Sequence, residues 1–362
     1  MPFSAGNNAS HFDLAQLPEI TELPDPLQSR DGRRIETREA WAAHRQALLE
    51  LVVATEYGLL PPDPGNVSGT ERASRPLSEP GATEIELMLS MGPEQSLQMP
   101  LILTLPPGNS PFPVIVRGDL CWGGVLPEIV ATVVGRGYAL AQFDRTGLAP
   151  DSAERGGVYA AYPDTHCGRI AAWAWGYHRV VDYLLSRSDV DGSRIAVTGH
   201  SRGGKAALLA GATDTRIALT APNNSGCGGA GCFRLQAEGS EDLGAILKNF
   251  PFWFHPDFGA FIGRERRLPF DQHTLKALVA PRALLSTEAL GDLWANPWGS
   301  QQTHLAARKV YEFLGAADRI GIVFRPGGHE HNLADWNALL DFADAQWYGR
   351  PVARRFDALA FD

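Results

Sequence analysis

Residues 197–211 read VTGHSRGGKAALLAG, an apolar strand that ends in Gly-His-Ser-Arg-Gly and runs directly into an Ala/Leu-rich helix. A serine in that place reads as a nucleophile elbow: a tight strand-to-helix turn lifts Ser201 above the sheet edge and aims a helix N-terminus at it. Gly199 and Gly203 are then small because strand and helix pass close together. The competing reading is a glycine-flanked helix start with Ser201 as an ordinary cap. Five-residue G-x-S-x-G matches arise by chance, so the flanks decide: Ile195, Ala196 and Val197 before the turn and Ala206 to Ala210 after it supply the context that the elbow requires.

Outward from this stretch, strands and helices alternate. TEIELMLSM (83–91) and MPLILTL (99–105) suggest an antiparallel pair, while PVIVRG (113–118) and YALAQFD (138–144) are continuous apolar runs of the kind buried on both faces of a parallel sheet. A short helix within 125–137 joins the latter two. Then follow a helix over 169–186, strand 194–198, helix 202–212, strands 216–221 and 282–287, helix 301–314, strand 319–325 and helix 335–347. The alternation predicts an α/β three-layer sandwich around a mostly parallel sheet. Residues 1–36 read as an arm laid over a single domain spanning 37–362, whose first helix starts near Thr37. The Gly-, Phe- and Trp-rich stretch at about 223–279 breaks the rhythm and reads as an insertion near the strand ends, where open α/β sheets bind ligands.

Composition narrows the function. The chain has 362 residues, 44% of them hydrophobic and 20% charged, with a net charge of −9, which supports neither a nucleic-acid surface nor an electrostatic membrane surface. The N-terminus lacks a basic segment followed by an apolar one, so the chain reads as cytoplasmic as given, and as secreted or periplasmic if a leader was removed. No apolar run reaches membrane-spanning length. Cys121, Cys167, Cys227 and Cys232 lack paired zinc-ligand spacing and read as free or buried thiols; no metal site is expected.

A serine hydroxyl needs a base within hydrogen-bond reach, oriented in turn by an acid, and in this architecture the chain order is Ser, acid, His. EALGDLWANPWG follows the strand RALLST and offers Glu288 and Asp292. PGGHEHN follows the strand GIVFR and offers His329 and His331. His329 is favoured as base because a short Gly-Gly turn lets it reach back over the sheet, with His331 as the alternative. Asp292 is favoured as acid because it lies a few residues beyond its strand, with Glu288 as the alternative. The backbone N–H of Arg202 is positioned for an oxyanion and its guanidinium can add charge. Lys205, one turn on, can meet an anionic or hydroxyl-rich substrate; either side chain could equally be solvated. The loop RGDLCWGG after strand 113–117 could complete the oxyanion hole, with Gly118, Gly123 and Gly124 permitting close backbone approach.

Taken together, GHSRGGK, PNNSGCGGAGCFR, APRALLSTEALGDLWANPWG and GGHEHNLADW resemble the glucuronoyl esterases, carbohydrate esterases of the α/β-hydrolase superfamily that cleave 4-O-methylglucuronate esters joining xylan to lignin. The resemblance runs from roughly Trp41 to Trp347. It implies Ser201 as nucleophile, Arg202 at the oxyanion, Lys205 on the uronate hydroxyls, Trp294 as a wall of the sugar site, a carboxylate near Glu241 on the sugar, and no metal or organic cofactor.

The sequence departs from the family pattern in three places. Many members carry the triad acid directly before the Ser-Gly-x-Gly-Gly run, where this chain has Asn224; an amide cannot stabilise an imidazolium as a carboxylate does, which strengthens the case for Asp292. Fungal relatives have a bridged cysteine before the serine, where this chain has His200, expected to pack against Glu330 or Asn332. Members acting on plant cell walls are normally exported, and no leader is visible. Three readings follow: a serine esterase acting on glucuronate esters, an acetyl or general carboxylesterase, and a non-catalytic carbohydrate-binding relative.

Overall fold

The computed structural model describes residue 14, residues 16–77 and residues 81–362. Residues 1–13 and 15 of the expected arm lie outside the described residues. The remainder of that arm runs along the segment 264–273: Ile20 N–H donates to the Arg266 carbonyl, the Arg267 guanidinium to the Leu17 carbonyl, and His273 Nε2 pairs with the Pro24 carbonyl.

In chain order the elements are α1 (Arg38–Val52), β1 (Ser68–Pro76), β2 (Thr83–Met91), β3 (Leu97–Leu105), β4 (Phe112–Arg117), α2 (Pro127–Gly135), β5 (Ala139–Phe143), α3 (Val158–Ala161), α4 (Arg169–Leu185), β6 (Val190–His200), α5 (Arg202–Thr213), β7 (Leu219–Asn223), α6 (Leu243–Asn249), α7 (Gln272–Ala277), β8 (Ala283–Ala289), α8 (Pro297–Phe313), β9 (Ile320–Arg325) and α9 (Leu333–Tyr348). One sheet orders its strands β1-β2-β3-β5-β4-β6-β7-β8-β9. From β5 to β9 across that order every pairing is parallel, and β1, β2 and β3 form an antiparallel edge. The result is the mostly parallel α/β sandwich that the alternation predicts, of the α/β-hydrolase type that the resemblance implies.

The continuous apolar strands work as expected of a sheet covered on both faces. Val114 and Val116 of β4 join the cluster that holds α4, α5 and α8, while Ile115 between them faces Ile129 of α2 and Trp336 of α9. Capping is explicit: Thr37 Oγ1 accepts from Ala40 N–H at the start of α1, and Asn332 with Asp335 forms a reciprocal capping box on α9. All four cysteines are free, and Cys167, Cys227 and Cys232 are buried.

Three of the differences from expectation have a plain local cause. Strand β1 was invisible in the sequence because all nine of its residues are exposed, so it has no apolar alternation and exists only through its ladder to β2. The strand expected at 216–221 begins at Leu219 because Asp214 accepts from Arg216 N–H and anchors a turn there. Helix α8 begins four residues before the expected 301: Asn296, in the left-handed region with φ 55°, accepts from Gly299 N–H, and Pro297 takes the first helical position.

The core also stores protonation energy. Burial holds the imidazoles of His178 and His273 down at about 4 and that of His304 at about 3, against an ordinary value of 6.5. A base whose pKa is lowered by folding takes up a proton on unfolding below its ordinary pKa, so its contribution to stability is present near pH 7 and lost as pH falls through 6.5 towards 4. Burial raises the carboxyls of Glu56 and Glu288 to about 8, and these act in the opposite sense, but the buried histidines outnumber them. Each net proton taken up costs about 1.4 kcal/mol of stability per pH unit. The thermal midpoint should therefore fall between pH 6 and 4.5, with a shallower slope in His304→Gln; a flat profile in scanning calorimetry would contradict this.

Candidate active site

Five of the six parallel strands, β4, β6, β7, β8 and β9, deliver side chains from their C-terminal ends to one region. At the end of β6, Ser201 has φ 54° and ψ −122°, a left-handed conformation costing about 1–3 kcal/mol for a residue with a side chain. Its hydroxyl does not cap α5, which sets aside the ordinary-cap reading. The strain is held by the neighbours: Ser201 N–H donates to the Asn223 carbonyl at 3.0 Å, and Lys205 N–H donates to the Ser201 carbonyl at 3.1 Å. A side chain on Gly199 would strike the Gly203 carbonyl, as close strand–helix passage requires. One on Gly203 would strike something else, the buried carboxylate of Asp119. That carboxylate accepts from His200 N–H at 2.8 Å and is ion-paired with fully buried Arg145.

His329 Nδ1 donates to Asp292 Oδ2 at 2.5 Å. A carboxylate only accepts, so the proton sits on Nδ1 and leaves the Nε2 lone pair bare. Asp292 is buried and the His329 side chain is 43% exposed. Their two loops are zipped together: Leu290 N–H donates to the Arg325 carbonyl and Gly291 N–H to the Gly327 carbonyl, and a side chain on Gly291 would lie 2.6 Å from that same Gly327 oxygen. Arg325, the last residue of β9, wraps the histidine loop by donating to the carbonyls of Pro326, Gly328 and Glu330, and Asp335 holds Arg325 from behind. Asn224 completes the clamp, donating to the Glu330 carbonyl and accepting from Ala289 N–H.

The alternatives sit elsewhere. Glu288 is buried with neither carboxylate oxygen hydrogen-bonded, its charge opposed by buried Lys276. The His331 ring stacks on Trp336 with centroids 5.1 Å apart, and burial pushes its pKa well below the ordinary value. The expected packing of His200 on Glu330 or Asn332 is replaced by a different arrangement. His200 Nδ1 pairs with Asn223 Oδ1 at 2.6 Å, and its ring lies 4.4 Å from that of His329, because the β6 end points the side chain along the neighbouring strand ends rather than outward. Burial and the neighbouring His329 hold His200 neutral, at about 4.

Neither Arg202 nor Lys205 is an ordinary solvated helix residue. The Arg202 guanidinium is ion-paired with Asp151, which also accepts from Trp253 Nε1, and lies 4.7 Å from the Trp253 ring and 4.9 Å from the Phe250 ring. Lys205 is buried, donates to the Ser225 carbonyl at 2.5 Å, and is lowered in pKa by burial against the pull of Glu241. Glu241 is itself buried and raised by burial, an effect opposed by Lys205 and by a hydrogen bond to Trp294; its N–H donates to the Trp294 carbonyl. The Trp294 side chain stands half-exposed. Two of the three glycines in the loop expected to complete an oxyanion hole are committed within the protein: Gly118 N–H donates to the Tyr177 hydroxyl and Gly123 N–H to the Leu120 carbonyl. Gly118 is small because Tyr177 packs directly on it.

A profile of the family described as "Glucuronyl esterase, fungi" matches residues 91–315. The chain belongs to the glucuronoyl esterase family. A 4-O-methyl-glucuronoyl methylesterase of Podospora anserina is 33% identical over 328 residues, 87% of this chain, which spans 64% of that relative's length. Among solved structures, a glucuronoyl esterase of carbohydrate esterase family 15 from Caldicellulosiruptor kristjansonii superposes with a TM-score of 0.81 at 32% identity over 97% of both chains. A promiscuous esterase of the same family from a marine bacterial metagenome superposes at 0.79 with 30% identity, over 94% of this chain and 99% of that one.

Sequence reading missed the supporting residues Asp119, Arg145, Asp151 and Arg325. Asp119, Arg145 and Arg325 are charges at or just past a strand end and Asp151 lies in the loop beyond β5; only Asp119, inside the loop already singled out, carried any local signal. If Asp292 orients His329, Asp292→Asn lowers turnover by about 10³- to 10⁴-fold, the scale of losing the correct tautomer. Glu288→Gln, which touches neither group, lowers the unfolding midpoint and leaves turnover within tenfold. Likewise His329→Ala abolishes acylation and His331→Ala does not. Single-turnover kinetics on the four variants check this, and the reverse order for the two acids would reassign the triad.

Proposed function

We propose that this protein is a serine carboxylic ester hydrolase that cleaves esters of glucuronate or 4-O-methylglucuronate. Ser201 Oγ attacks the ester carbonyl as its proton passes to His329 Nε2, and the carbonyl electron pair moves onto oxygen. Asp292 stabilises the imidazolium so formed. The N–H of Arg202, at the first position of α5 where helix geometry leaves donors free, faces the developing charge together with the Arg202 guanidinium. Collapse breaks the bond to the alcohol oxygen, which takes the proton from Nε2, and water then repeats the sequence to release the acid. Lys205, Glu241 and Trp294 bind the sugar.

The observation that carries this reading is the His329–Asp292 bond, with the His329 ring 4.4 Å from that of His200, the residue before a serine held at φ 54° with its hydroxyl free of capping. The family relation, with its named glucuronoyl methylesterases and glucuronoyl esterases, supports the acyl specificity. A second reading, a broad carboxylesterase, draws on the exposure of His329 and on the relative described as promiscuous. Hydrolysis of benzyl glucuronate beside p-nitrophenyl acetate, with wild type, Ser201→Ala and Lys205→Ala, separates the two. The uronate reading predicts serine-dependent cleavage of the glucuronate ester, with little acetate turnover, and its selective loss in Lys205→Ala. Equal turnover of both esters, indifferent to Lys205, would favour the broad esterase.

A further inference from the structure

We propose that His200 is a second acceptor for the water that hydrolyses the acyl-enzyme: its Nε2 takes a hydrogen bond from the O–H that this water does not give to His329. The inference rests on the esterase reading above and assigns a residue to the deacylation half of that reaction.

The neighbours of His200 fix its tautomer. Asn223 Nδ2 lies 2.9 Å from Thr287 Oγ1 and 3.4 Å from the Thr287 carbonyl, an obligate acceptor, so the amide nitrogen donates there and Oδ1 faces His200 Nδ1 at 2.6 Å. An amide oxygen only accepts, which puts the imidazole proton on Nδ1 and the lone pair on Nε2. No group among the described residues bonds that Nε2, and the nitrogen is open to solvent rather than sealed in the core. His329 is held in the same manner by Asp292, and the two rings lie 4.4 Å apart. Two imidazoles with occupied Nδ1 and bare Nε2 therefore stand side by side, one of them on the residue that precedes Ser201.

Their partners divide the work. The Asp292 carboxylate stabilises an imidazolium, whereas the Asn223 amide does not. Burial and the adjacent His329 hold His200 neutral, at about 4. His329 can thus take a proton from the nucleophile while His200 offers only a lone pair. That division matters in one of the two chemical steps. In acylation Ser201 and the departing alcohol each carry one O–H, which His329 handles alone. In deacylation the attacking water carries two. As its oxygen bonds to the acyl carbon, one proton passes to His329 Nε2 and the carbonyl electron pair moves onto oxygen. The other hydrogen stays on the attacking oxygen and becomes a stronger donor as positive charge develops there. Collapse breaks the bond to Ser201 Oγ, which takes the proton back from Nε2, and the released acid keeps the second hydrogen. A bare Nε2 beside the base is the acceptor that orients this second O–H.

The test is the partition of the acyl-enzyme between water and added methanol, a nucleophile with a single O–H. It is measured in wild type, in two variants without an acceptor, His200→Phe and His200→Met, and in one that retains an acceptor, His200→Gln. The methanolysis-to-hydrolysis ratio should rise about tenfold in the first two, the scale of one lost hydrogen bond, and return to within about threefold of wild type in His200→Gln. A merely structural role would slow attack by both nucleophiles alike and leave the ratio unmoved. The wild-type readout needs no variant to fold: the imidazole nitrogen-15 shifts of His200 should report a protonated Nδ1 and an unprotonated Nε2 at neutral pH. An unchanged ratio in the acceptor-free variants, or the Nε2-protonated tautomer in wild type, overturns the proposal. The ratio can be read on whichever ester is cleaved, so failure on glucuronate esters with acetate turnover intact would overturn the acyl specificity alone.

Discussion

The buried carboxylate of Asp119 is the contact on which the candidate site depends. It accepts from the N–H of His200, the residue before Ser201, presses on the Cα of Gly203 two residues beyond the serine, and neutralises Arg145, which braces Trp122. A left-handed serine persists only where its surroundings over-determine it. One ion pair in the core fixes both sides of the strained residue and the loop facing it. Breaking such a pair by removing one partner leaves an uncompensated buried charge, which makes this the costliest place in the site to alter.

The same economy appears in the histidine loop. Three carbonyls in residues 326–330, those of Pro326, Gly328 and Glu330, are held by Arg325 and Asn224, so His329 is exposed to solvent while its backbone is clamped. Asn224 has a duty that a carboxylate could not fill: its amide donates to the Glu330 carbonyl and accepts from Ala289 N–H, tying one loop to the other. His200, neutral through burial, lines the His329 ring without adding a second positive charge that would oppose the imidazolium formed in catalysis.

What could be read from the sequence follows from what leaves a local trace. The elbow was legible because its glycines, its apolar strand and its helix are contiguous, and the parallel strands were legible because burial on both faces writes an unbroken apolar run. Strand β1 left no trace, since every residue of it faces water and only pairing with β2 defines it. His329 could be separated from His331, and Asp292 from Glu288, only as preferences, because the deciding facts are three-dimensional: which imidazole stacks on Trp336 and which carboxylate is buried within β8 opposite Lys276. The packing of His200 and the use of Gly118 went the other way from expectation because each depends on a distant partner, Asn223 and Tyr177.

The central claim is that an elbow held by Asp119 presents Ser201 as an activated nucleophile. The most direct measurement is the rate and site of covalent labelling by a fluorophosphonate, followed by peptide mass spectrometry in wild type, Ser201→Ala and Asp119→Asn. The account predicts stoichiometric modification of Ser201 in wild type, none in Ser201→Ala, and markedly slower modification in folded Asp119→Asn. Labelling at another residue, no labelling of wild type, or an undiminished rate in Asp119→Asn would contradict it.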